Sequence, residues 1–183
     1  MGIATAAPPH GKARPIAPVN GLTLAALFVP PAGALMGLAG LHKDPRFPWL
    51  RGEIGAIPWQ FVVLVLAGGV GTAAGVADWR FHRTGQRVVG HKESQAELLA
   101  LAGGGAPLFV LMAAATTMAQ PGPLLVPVML AFLFTVVAIC YDELIFHRRA
   151  CGPYETRLHH TLLAGNGLAF FAWVHFVFVA GPR

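Results

Sequence analysis

Asp78 and His82, Glu93 and Glu97, Glu143 and His147, and Glu155 and His159 are four pairs of potential metal ligands, the members of each separated by four positions. On a helix that spacing puts both side chains on one face, about one turn apart along the axis. The three imidazoles and five carboxylates form a mixed donor set that divalent iron, manganese or zinc accepts. Carboxylates can bridge two cations, so eight donors suit a dinuclear site better than a mononuclear one. The expected cofactor is therefore two iron ions, with manganese or zinc as alternatives. Soluble four-helix di-iron proteins follow the same logic, with carboxylates and Glu-x-x-His pairs aimed into the bundle core. Here the second member of each pair comes one residue later.

Two stretches carry the pairs. Ala77–Gly103 reads ADWRFHRTGQRVVGHKESQAELLALAG, and Tyr141–Gly165 reads YDELIFHRRACGPYETRLHHTLLAG. Both leave an apolar run through an acid, reach Phe-His-Arg, cross a short basic loop and enter the next run through Glu. They predict two pseudo-repeated helical hairpins joined on the same side. Six of the eight acids, Asp78, Glu93, Glu97, Asp142, Glu143 and Glu155, fall in these hairpins; Asp44 and Glu53 fall in another loop. Ionisable groups at the edge of hydrocarbon are costly unless paired or ligating, so six gathered there call for cations among them. Arginine is the competing cation: Asp78 is near Arg80 and Arg83, and Glu155 near Arg157, in ordinary interfacial salt-bridge range.

The elements that must position these residues are apolar. The 183-residue chain is 55% hydrophobic and 11% charged, with positive mean hydropathy, which is outside soluble usage. Gly21–Leu41, Ile57–Ala77, Leu98–Ala119, Gly122–Tyr141 and Thr161–Gly181 each hold about 20 residues without Asp, Glu, Lys or Arg, enough helix to cross roughly 30 Å of hydrocarbon. The predicted fold is all-α, an integral-membrane helical bundle of about five spans, in which the two hairpins contribute a four-helix core. Residues 1–20, rich in proline, are expected to form a disordered cytoplasmic tail. Residues 21–183 form one transmembrane domain, with spans at about 21–41, 57–83, 93–119, 122–147 and 155–181. Pro30 and Pro31 predict a bend in the first span.

Charge sets the expected orientation. A cytoplasmic amino terminus collects Lys12, Arg14, Arg80, Arg83, Arg87, Lys92, Arg148, Arg149 and Arg157 on the inner side, leaving Lys43, Arg46, Arg51 and Arg183 outside. The metal site then lies at the cytoplasmic edge of a plasma (inner) membrane, and the net charge of +5 reflects topology rather than nucleic-acid binding. Cys140 and Cys151 lack a CxxC spacing and lie on the reducing side, so no structural disulfide is expected.

Deeper positions extend the pattern. Steps of three and four back from Asp78 give Gly75, Gly71 and Gly68, a small-residue seam for close helix packing. The stripe from Glu155 and His159 continues to Leu162 and Asn166, whose carboxamide is a candidate for hydrogen bonding to a ligand, water or substrate, or simply to another helix. His91, Asp142 and His160 adjoin the pattern as outer or spare ligands. Gly103-Gly104-Gly105-Ala106-Pro107 predicts a kink or a cavity beneath the ligands. His175 is expected to be an interfacial or packed histidine.

In its plan of membrane helices presenting histidines and acids at the cytoplasmic edge over Asp78–Asn166, the chain resembles the integral-membrane di-iron hydroxylases and desaturases. The resemblance implies dioxygen activation and a lipid-like substrate entering from the bilayer, with an electron-donor protein as partner. It carries no residue assignments, because the HxxxH and HxxHH boxes of those families are missing and Leu158-His159-His160 is only a fragment of one. Three other functions fit the same sequence: a b-type haem protein using His82, His147 or His159, a proton or metal transporter, and a small structural subunit of a membrane complex.

Overall fold

The structure, a computed structural model, describes residues 19–83, 95, 96, 98–143, 145 and 152–181. Among them there is no strand. The helices are α1 (Val19–Leu41), α2 (Trp59–Arg83), α3 (Leu99–Thr117), α4 (Leu125–Asp142) and α5 (Pro153–Ala180). Helix α1 runs through Pro30 and Pro31. The first seven residues of α3, Leu99–Gly105, and the last six of α5, His175–Ala180, are π-helical. The π-helical start of α3 spans the glycine run, where weak helix propensity makes a widened turn cheap.

Four helices, α2 to α5, are long and apolar enough to cross a membrane. Trp59–His82 alone has 24 residues, or about 36 Å of helix against roughly 30 Å of hydrocarbon. The outward positions are apolar too, among them Leu66 and Val70 on α2 and Leu130, Leu133 and Val137 on α4. Only 6% of the α4 window is buried within the molecule, although it is the most apolar of the four. Such a face requires hydrocarbon or another protein against it.

The most extensive packing joins α2 to α5, and α3 packs on α4. Each close pair thus takes one helix from each expected hairpin. Glycine allows the approach in both. A Cβ on Gly165 of α5 would lie 2.7 Å from the Ala67 carbonyl oxygen and 2.9 Å from the Gly71 nitrogen of α2. One on Gly104 of α3 would lie 2.6 Å from Thr135 Oγ1 of α4. Gly68 and Gly71 of the expected seam accordingly face α5, and Gly71 and Gly75 are buried.

The core lies towards the carboxyl-terminal half of α5. Phe132 and Phe170 stack at 4.0 Å with planes 5° apart, over buried Ala115, Val128, Trp173 and Val177. The Trp173 indole N–H donates to Thr116 Oγ1 at 3.0 Å, and that hydroxyl donates to the Met112 carbonyl at 2.8 Å. The indole thereby stays in the core without an orphaned donor.

The α1–α2 connection is fixed at the same end. Arg46 bonds Asp44 through Nη2 at 2.7 Å and donates to the carbonyls of Met118 at 2.9 Å and Thr117 at 3.1 Å. One guanidinium thereby satisfies carbonyls that the end of α3 leaves without helical partners. Buried Phe47, beside it, meets the rings of Trp49 and Phe176. His175 is packed, as expected: its Nδ1 is 2.9 Å from Gln60 Nε2, and Trp59 covers it at 5.3 Å.

Candidate metal centre

At the other end of the α2–α5 pair, four side chains converge. Asp78 and His82 lie one turn apart near the end of α2. Glu155 and His159 occupy the opening turns of α5, which starts from extended Gly152 with Pro153 at its first position. The helices run antiparallel: Gly71 meets Gly165, Asp78 meets His159, and His82 meets Glu155. The end of one helix is therefore level with the start of the other. Each residue offers one ligand atom, and the four atoms lie within 4.8 Å of one another.

His82 Nε2 is 3.3 Å from Glu155 Oε1 and 3.6 Å from Asp78 Oδ2, and His159 Nε2 is 3.3 Å from Asp78 Oδ1. Donors held about 2.0–2.2 Å from one cation stand roughly 3–4.4 Å apart. The observed spacings fit with small side-chain rotations. Glu155 is 1% exposed, and the side chains of His159, His82 and Asp78 are 11%, 16% and 18% exposed. Phe81 shields one side, edge-on to His82 at 5.8 Å and against Tyr154 at 5.6 Å.

Two buried atoms, Asp78 Oδ1 and His82 Nδ1, have no hydrogen-bond partner. Buried polar atoms are nearly always satisfied, so the Asp78 oxygen, 3.3 Å from His159 Nε2 without a formed hydrogen bond, calls for a cation, either a protonated imidazole or a metal ion. Two imidazoles with two carboxylates is also a donor set that transition metals select.

A third acid meets the cluster from the carboxyl-terminal cap of α4. Glu143 Oε2 is 3.0 Å from His159 Nδ1, on the other side of the ring from Asp78. The other expected candidates are placed differently. Glu93, Glu97, His91 and His147 lie outside the described residues. Asp142 ends α4, and its side chain is likewise outside the description. His160 is exposed and turned away from the cluster stripe. Asn166 is exposed, yet its side chain lies against the backbone of Gly71 two turns from His159.

Two features were not singled out from sequence. Gly165 sits opposite Gly71, and its signal is the Gly165-Asn166-Gly167 triplet within an apolar run. Gln60 is 5% exposed and bonded to His175, signalled by an amide opening an apolar helix. A cleft of about 270 Å³ lined by Trp49, Pro58, Gln60 and Phe176 lies at that opposite end and has no part in the cluster. No protein-family model, curated protein or solved structure matches the chain.

Proposed function

We propose that the chain is an integral-membrane metalloprotein whose centre is built on Asp78, His82, Glu155 and His159. The observation that carries this is the convergence of four donors from two helices within 4.8 Å, with a buried Asp78 oxygen that makes no hydrogen bond beside the His159 nitrogen. The apolar outward faces of α2 and α4 support burial in a bilayer. The excess of Lys and Arg in the segments flanking the cluster supports a cytoplasmic position for it in a plasma (inner) membrane.

Iron suits this centre best, and the proposed activity is oxidation of a lipid-like substrate by dioxygen. Iron would supply the redox chemistry needed to use dioxygen. Two irons, if both bind, would draw further donors from Glu93, Glu97 and His147. In hydroxylation one oxygen atom enters a substrate C–H bond and the other leaves as water, with two electrons and two protons supplied by a donor protein. In desaturation both atoms leave as water, with two hydrogens from the substrate and the same two electrons and two protons. The protein's own part is to hold the donors, to keep bulk water away through the Phe81 and Tyr154 rings, and to admit substrate sideways from the membrane. Asn166, about 10 Å along α5 from His159, is placed to bond a polar group of that substrate.

Metal analysis with an optical spectrum on detergent-purified protein tests the proposal. Stoichiometric iron without a Soret band supports it. A haem spectrum would make the chain a cytochrome, and protein without metal that also takes up none on reconstitution would make it a structural subunit.

A further inference from the structure

We infer that Glu143 is a positioning residue, which holds His159 with Nε2 turned to the ion and does not itself bind that ion; this rests on the metal-binding proposal above. The two nitrogens of an imidazole point away from each other across the ring. In His159, Nε2 faces Asp78 at 3.3 Å and Nδ1 faces Glu143 Oε2 at 3.0 Å. Glu143 is therefore across the ring from the other donors, and it is not among the four that lie within 4.8 Å of one another. A carboxylate accepts and cannot donate, so the Nδ1 contact is a bond from Nδ1–H to Oε2. In the neutral imidazole, the form that binds a metal, that assignment leaves a lone pair on Nε2, the atom directed at the cluster. A carboxylate behind a ligating histidine fixes its tautomer and orientation and makes the metal-facing nitrogen a better donor.

The arrangement also gives α4 a role that the packing of α2 on α5 lacks. Asp78, His82, Glu155 and His159 come from α2 and α5 alone. Glu143 ties the His159 ring to a third helix, so the orientation of the imidazole depends on where α4 ends.

The test uses the full chain in lipid nanodiscs, loaded with Co(II) or, without oxygen, with Fe(II). Wild type, Glu143→Ala, Glu143→Gln and Glu155→Gln are compared by metal stoichiometry, competition affinity and donor number from X-ray absorption. Glu143→Ala is expected to keep the wild-type stoichiometry and donor number while binding about 10–100-fold more weakly. Glu143→Gln should fall between, because its carboxamide oxygen still accepts the Nδ1–H bond. Glu155→Gln, by contrast, should lose the ion or one oxygen donor. The inference is overturned if either Glu143 variant loses an ion or a donor, or if both bind within twofold of wild type. Should Glu143→Ala misfold by circular dichroism, Glu143→Gln alone decides. A wild type that takes up no ion defeats the metal proposal itself, an outcome the variant comparison cannot be confused with.

Discussion

Glu155, at 1% exposure, is the most deeply buried acid described, and it sits 3.3 Å from an imidazole nitrogen. In the proposed centre it is a ligand, which links metal binding to stability. A ligand held only by the folded state at a hundred times its dissociation constant stabilises that state by about 2.7 kcal/mol. Wild-type protein should therefore melt at a higher temperature with metal than without, and Glu155→Gln should lose most of that difference. Thermal scans with and without chelator measure it; an equal metal-dependent rise in the variant would remove Glu155 from the centre. A second residue-scale prediction concerns Asp44. The hydrogen bonds from Arg46 hold its carboxyl below the ordinary carboxylate value. A lowered folded value means stabilisation that is present above the unfolded value, about 4, and lost as pH falls through the folded one. The loop should accordingly become more protease-sensitive on acidification below about pH 4, and Asp44→Asn should be sensitive already at neutral pH. Digestion by an acid-tolerant protease across that range is the check. From spacing alone it was legible that Asp78 shares a face with His82, and Glu155 with His159. The bond from His159 to Glu143 was not legible, because a four-residue repeat pairs Glu143 with His147 and says nothing of a partner sixteen residues away.

At the scale of elements, the contact of Gly71 with Gly165 sets the separation of α2 and α5. A side chain at position 165 would meet the Ala67 carbonyl at 2.7 Å, a backbone group that cannot rotate aside. Gly165→Val should therefore destabilise the protein by about 1–3 kcal/mol, as overpacking does. It should also weaken metal binding, since the donors are spread between the same two helices. Gly69→Ala is the matching control: nothing lies within 4 Å of its Cβ, and helix propensity favours alanine by up to about 1 kcal/mol. Denaturant titration in detergent should separate the two variants in opposite directions. The seam was legible as glycines three and four residues apart, and the long helices as charge-free runs. Which helix would press on that seam was not. Chain order groups α2 with α3 and α4 with α5, whereas the tightest pairs cross between those groups, and no local pattern encodes that choice.

For the molecule as a whole, the two ends of the bundle differ in kind. Carboxylates and imidazoles cluster at one end, and aromatic rings with the Arg46 clamp close the other. The proposed orientation places the clamp end outside. In a chain with Cys140→Ser and Cys151→Ser, a cysteine replacing exposed Lys43 should react with an impermeant maleimide on intact cells. Labelling only after lysis would invert the topology. The distance between the ends also gives the glycine contact a mechanical meaning. It lies about 10 Å along the axis from Asp78 and about 9 Å from His159, so a change of helix angle about that fulcrum would change the width of the donor gap. Ionic radius would then be gauged by two residues that have no side chain, and selectivity among divalent cations would shift by thickening the fulcrum while every donor stays in place.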